Sequence, residues 1–194
     1  MSVMEDMGAR AMALGIPLSV QLDLTYRCNE RCIHCYLDHE DHGEMSTGEI
    51  KDLLDQLAAA GTFFLNFSGG EIFMRKDLFE ILEYARKLQF SIKLKTNAVM
   101  IRAAKAKRLA ALGLESVQIS LYSHKPEVHD EITQLPGSFK RTMEGARSML
   151  IGWLASGIFI FGSREIEVVG STRGAAAKLP PYRRAARRTV SRCL

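Results

Sequence analysis

Four cysteines in 194 residues are too few for a disulfide framework, and three of them crowd into Cys28–Cys35. Three is an odd number for internal pairing and one short of a closed zinc site. No run of about 18 apolar residues occurs, so no membrane-spanning helix is expected. The opening MSVMEDMGARAMALGIP places Glu5 and Asp6 where a secretory signal wants Lys or Arg, and its apolar run is short. A cytoplasmic chain is expected, with residues 1–17 a frayed or loosely docked segment. In that compartment thiols stay reduced, so clustered cysteines point to metal binding or catalysis.

The composition, 47% hydrophobic and 25% charged, suits one well-cored domain. Charge is spread unevenly. From Ile151 to Leu194 there are seven Arg and one Lys against two Glu, a net of +6, which leaves −2 for residues 1–150 of the +4 total.

Between Leu18 and Leu150 strand-like and helix-like stretches alternate. Strands are expected at 18–25, 62–68, 91–97 and 114–122, and helices at 46–61, 76–90, 102–113 and 137–150. In the first helix Ser46 caps the start with Glu49 at capping-box spacing, and Ile50, Leu53, Leu54 and Leu57 form an i, i+3, i+4, i+7 stripe. The Phe63, Phe64, Phe67, Phe73 and Phe79 group reads as core, and Phe139, Met143, Ala146 and Leu150 share a side of the last helix. Four successive βα units imply an α/β fold with parallel strands and helices packed outside, in an open sheet or part of a barrel. Ligands in such folds gather at the carboxyl ends of the strands.

Every candidate motif falls at one of those ends. Cys28-x3-Cys32-x2-Cys35 follows the first strand, and soft thiolates select zinc, copper(I) or iron–sulfur clusters. His34, His39 or His42 is available as a fourth zinc ligand; three cysteines on a four-iron cubane would instead leave one iron open. The FSGGE stretch, Phe67 to Glu71, ends the second strand. Adjacent glycines let backbone approach a ligand closely, and a carboxylate beside them suits an ammonium. Thr96 and Asn97 end the third strand, and Ser120 and Tyr122 the fourth. Lys93 and Lys95 alternate with Ile92 and Leu94, pointing into a barrel or to solvent. His39, His42, His124 and His129 lie in polar stretches that suggest the surface.

The loop CNERCIHCY and the Gly-Gly-Glu one βα unit later resemble the radical S-adenosylmethionine superfamily, and Tyr36 resembles its peptide- and cofactor-maturing branch (SPASM-type). The resemblance implies a partial (βα) barrel holding a [4Fe-4S] cluster on Cys28, Cys32 and Cys35. It also implies S-adenosyl-L-methionine as second cofactor, met by Gly69, Gly70 and Glu71 at its amino group and by Asn97 and Ser120 at its carboxylate and ribose. His34 is expected beside the adenine and not on iron. The family's chemistry is reductive cleavage to methionine and a 5′-deoxyadenosyl radical that abstracts hydrogen from substrate. Implied partners are a one-electron reductant such as flavodoxin or ferredoxin and a peptide or cofactor precursor; neither membrane nor nucleic acid is expected.

Residues 18–150 form the expected core, of about four to five βα units, with no convincing fifth strand in GIFIFGSREIEVVGS. Residues 151–194 read as a poorly ordered basic low-complexity segment, either an out-of-frame continuation of a shortened core or a basic arm for RNA. Two other functions stand beside the leading one: a small zinc-binding α/β module, and a basic-tailed binding protein on an α/β scaffold.

Overall fold

The protein is described from a computed structural model that covers residues 3–152 and 157–161. Five parallel strands, β1 (Ser19–Asp23), β2 (Phe64–Ser68), β3 (Ser91–Thr96), β4 (Ser116–Ser120) and β5 (Gly157–Phe161), lie side by side in chain order. Between them run α2 (Thr47–Ala59), α3 (Leu78–Lys87), α4 (Ala103–Ala111), then α5 (Pro126–Thr133) and α6 (Ser138–Gly152). Sequential order with a helix in each crossover is the winding of a βα barrel, here present as an arc.

The two faces of the sheet differ sharply. Leu65, Phe67, Ile92, Leu94, Val117 and Ile119 point toward the helices, and none is more than 1% exposed. They meet Leu54, Ile81, Leu82 and Leu109 from the helices in one core, each such side chain contributing about 1.5–3 kcal/mol when buried. The alternate positions Gln21, Asn66, Lys93, Lys95 and Gln118 are polar and line the inner, concave face.

The capping box of α2 forms as expected: Glu49 N–H donates to Ser46 Oγ at 3.3 Å, and Ser46 N–H to Glu49 Oε2 at 2.8 Å. Three expectations change. The N-terminal segment contains a helix, α1 (Val3–Ala13), with an Arg10–Asp6 ion pair at 3.0 Å and a buried Ala11. A fifth strand does exist, pairing Ser116–Ser120 with Gly157–Phe161, so the sheet extends past residue 150. Position 162 onward, including the basic cluster at 182–188, lies outside the described residues. Phe63 is 46% exposed, because its ring stands at the β2 entrance rather than on the helix-facing side, whereas Phe67 and Phe73 are buried. Among the described residues no helix is long and apolar enough to cross a membrane.

Candidate functional site

At the carboxyl ends of β1–β4 a cavity of about 260 Å³ collects Cys28, Cys32, Cys35, His34, Gly69, Gly70, Asn97 and Ser120. All three thiols are free and half-buried. The anchor of this loop begins with backbone. Leaving β1, the chain hydrogen-bonds along the turn after β2: Leu24 N–H to Ser68 O at 2.9 Å, Gly70 N–H to Thr25 O at 2.7 Å, and Glu71 N–H to Arg27 O at 2.9 Å.

The glycine pair is required by this approach. A Cβ on Gly69 would stand 2.3 Å from Thr25 O, and one on Gly70 2.3 Å from Arg27 O; Gly69 also has φ of 126°. The backbone brought close by these glycines is therefore the chain's own, at the base of the cysteine loop, and the cavity lies on their other side.

The Glu71 carboxylate is fully buried and turned to the protein's own donors. It accepts from Phe73 N–H at 3.0 Å, Thr96 Oγ1 at 2.8 Å and Asn97 N–H at 2.8 Å, tying the end of β2 to the end of β3. Burial pushes its pKa up, against these hydrogen bonds. Asn97, thus held, donates from Nδ2 to Asn29 Oδ1 at 2.9 Å and lies 3.9 Å from Cys28 Sγ.

A buried cation closes the base of the loop. Arg75 donates to Leu24 O at 3.0 Å and Met45 O at 3.1 Å, one on each side of the loop, and grips Asp77 through two nitrogens at 3.0 and 2.6 Å. Glu44 receives Thr25 Oγ1 and pairs with Arg27 at 2.9 Å. Asp77, held by Arg75, has its carboxyl lowered to about 2. Nothing in the sequence's local pattern marked Arg75, because the two carbonyls it joins across the loop are 30 and 51 residues away.

The upper part of the loop rests on α5, a helix missing from the sequence expectation because it spans only eight residues. Arg31 N–H donates to Thr133 O at 3.0 Å and Ile33 N–H to Ile132 O at 2.9 Å, satisfying carbonyls at the helix's C-terminal end. His129 on this helix is buried and not on the surface. Its Nδ1 accepts from Tyr122 N–H at 3.2 Å, and its ring stacks on Tyr122, which meets His34 edge-on at 4.6 Å between centroids. The Tyr122 hydroxyl bonds Ser120 and Cys32, so Tyr122 belongs to the cavity wall.

For two of the thiols, Cys28 and Cys32, burial favours the neutral form. Burial pushes Cys28 up to about 11, against a hydrogen bond from Glu30 N–H. Cys32 rises to about 12 through burial and the adjacent Glu30 carboxyl. Burial likewise raises Glu30 to about 7. Thiolates here need a bound metal to supply the countercharge. Glu30, 3% exposed inside the loop, escaped the sequence reading, because a charged residue there has no periodic signature.

The fourth-ligand candidates for zinc are differently placed. His34 packs on Tyr122, and His42 Nε2 contacts Asp38 at 2.7 Å. His39 is half-buried rather than at the surface, and lines the cavity. Among the described residues, no three His, Cys, Asp or Glu side chains converge to hold a single metal ion. A donor set of three thiolates from one loop suits a polynuclear iron–sulfur cluster. A separate apolar cavity of about 220 Å³, walled by Leu22, Leu24, Met45, Ile50 and Leu53, contains none of the cysteines.

Comparison with known proteins gives the same bearing. The sequence profile of the radical SAM superfamily matches residues 22–150. The chain is 37% identical over 138 residues to the mycofactocin maturase MftC of Mycobacterium tuberculosis, covering 70% of this chain and 35% of that one. It is 36% identical over 148 residues to the PqqA peptide cyclase of Rhodopseudomonas palustris, covering 75% and 39%. In fold it is similar to Streptococcus suis SuiB bound to precursor peptide SuiA, with a TM-score of 0.67 at 19% identity over 80% of this chain and 36% of that one. The chain thus spans little more than a third of the length of these relatives.

Proposed function

The chain belongs to the radical SAM superfamily, and on that premise we propose that Cys28, Cys32 and Cys35 hold a [4Fe-4S] cluster beside bound S-adenosylmethionine, for radical modification of a peptide or cofactor precursor. The family uses these two cofactors, and the named relatives are a maturase and a peptide cyclase. The observation that carries the reading is that three thiols from one loop open into the same cavity as Gly69, Gly70 and the ends of β3 and β4.

When bound, the cluster and S-adenosylmethionine supply one-electron cleavage of the sulfonium and a 5′-deoxyadenosyl radical that takes hydrogen from substrate. The chain's residues do the rest. The base of the loop fixes where the thiolates stand. Gly69 and Gly70 present peptide groups to the cavity without side-chain bulk, which suits the amino end of S-adenosylmethionine. Asn97 and Ser120 offer polar groups for its carboxylate and ribose, and His34, braced by Tyr122, offers a ring face for adenine. Glu71 acts indirectly in this reading, by holding Thr96 and Asn97 in place. A one-electron reductant such as flavodoxin or ferredoxin completes the proposal.

Anaerobic reconstitution with iron and sulfide analysis tests it. About four irons per chain are expected, with strong loss in Cys28→Ala. A colourless protein with one tightly held zinc would sink the idea.

A further inference from the structure

We propose that Lys95 recognises an acid: it receives a carboxylate of the substrate on the inner face of the sheet, beside the cysteine cavity. The inference rests on the radical SAM reading and adds the chemical class of substrate.

Two lysines on β3 face inward, and they are not equivalent. Lys93 Nζ pairs with Glu115 at 3.0 Å and lies 5.9 Å from the Phe64 ring centroid, so its charge is answered. Lys95, two residues nearer the cysteine loop, donates to the neutral amide oxygen of Gln21 at 3.1 Å and enters no ion pair among the described residues. Asp23, on β1 beyond the intervening β2, is engaged by Gln21 Nε2 at 3.1 Å and by the Tyr36 hydroxyl at 3.5 Å.

Lys95 also stands between two cavities. It lines the cysteine cavity, and with Gln118 and Ser120 it lines a second cavity of about 310 Å³ over the inner face of β3 and β4. Gln118 is opposite Lys95 in the strand register. An ammonium with an amide beside it, left without a protein carboxylate and open to a cavity, is suited to bind one from a ligand. Asn66 Nδ2 donates to the same Gln21 oxygen at 3.2 Å, so Gln21 Oε1 fixes where Lys95 stands, while the ammonium keeps further N–H donors for an incoming carboxylate. A ligand gripped from the second cavity would lie next to the cysteine cavity, where hydrogen abstraction is proposed.

Residue-resolved lysine acylation of the full chain, read by mass spectrometry before and after cluster reconstitution, tests the assignment with glutarate as probe and glutaramide as its neutral counterpart. Glutarate in several-fold excess over a millimolar dissociation constant should slow acylation of Lys95 by about fivefold, while Lys93 serves as the unprotected internal reference. Glutaramide should have no effect. Equal rates at Lys95 with and without glutarate overturn the proposal. The source of the carboxylate is separated by S-adenosylmethionine and its decarboxylated analogue. If S-adenosylmethionine protects Lys95, the decarboxylated form does not, and glutarate adds nothing to the loaded chain, the carboxylate is the cofactor's and the substrate assignment falls. As a second measurement, glutarate should raise the thermal midpoint of Lys95→Arg but not of Lys95→Gln; a rise in Lys95→Gln overturns the proposal. Failure to take up iron would defeat the cluster reading, whereas unprotected Lys95 in a chain that does take up iron defeats only this inference.

Discussion

The base and the crown of the cysteine loop are built differently. At the base, residues 24–27 and 44–45 are clamped by the turn at Gly69 and Gly70 through backbone hydrogen bonds, by the buried Arg75, and by the Arg27–Glu44 ion pair. At the crown, the three thiols are half-buried and in no disulfide, Ile33 is 68% exposed and Tyr36 79% exposed. The difference teaches that the fold fixes where the thiols emerge and leaves their charged form to be stabilised by what they bind. In the proposed reading, the fold supplies the geometry and the bound cluster would supply the countercharge.

The sharpest way to break that contrast is at the glycine pair. Gly70→Ala forces a methyl onto Arg27 O and should cost about 3 kcal/mol or more, read by urea unfolding, with iron uptake falling in parallel. If Gly70→Ala folds and loads iron normally, the close approach at the base has no role.

Arg75→Ala comes next. It leaves Asp77 without its ion-pair partner and the Leu24 and Met45 carbonyls short of a donor, at a cost of about 3 kcal/mol. The same network sets an acid limb. Asp77 has a folded pKa lowered to about 2 from 3.8, so its stabilisation is present above about pH 4 and is lost as pH falls toward 2. Acid unfolding of Asp77→Asn should show a shallower slope in that window, and an unchanged slope would contradict the pairing.

Glu71→Gln is a milder test, because the amide keeps one acceptor for the Thr96 hydroxyl and the Asn97 N–H. A loss of about 1–2 kcal/mol is expected, together with faster amide exchange at Asn97. If Glu71 instead contacted S-adenosylmethionine directly, ligand affinity would collapse with stability unchanged. The smallest effect belongs to the crown: Tyr36→Ala should stay within about 0.5 kcal/mol of the parent in the same urea titration.

Much of this was readable in advance. The alternation of strand and helix periods located four βα units to within a few residues, and the capping box at Ser46 and Glu49 marked where α2 starts. The cysteine spacing and the Gly-Gly-Glu were visible as a pair, and the cavity joins the cysteines and both glycines. Signals that need distant partners were not readable. GIFIFGS is strand-like by composition, but no helix-like stretch separates it from the strand-like REIEVVGS, and only its pairing with β4 places Gly157–Phe161 in the sheet. His129 is polar in a polar stretch, and only packing under Tyr122 and against Phe139 buries it.

By itself, then, the sequence determined the α/β alternation, the single thiol-rich loop and its place after the first strand, because hydrophobic period and motif spacing are local properties of a chain. Tertiary structure alone decided that Gly69 and Gly70 admit the protein's own backbone, that Glu71 turns inward as a clamp, and that among the described residues Lys95 is left without a carboxylate while Lys93 is given one. Each depends on which groups meet across tens of residues, and burial and ion pairing exist only once those groups have met.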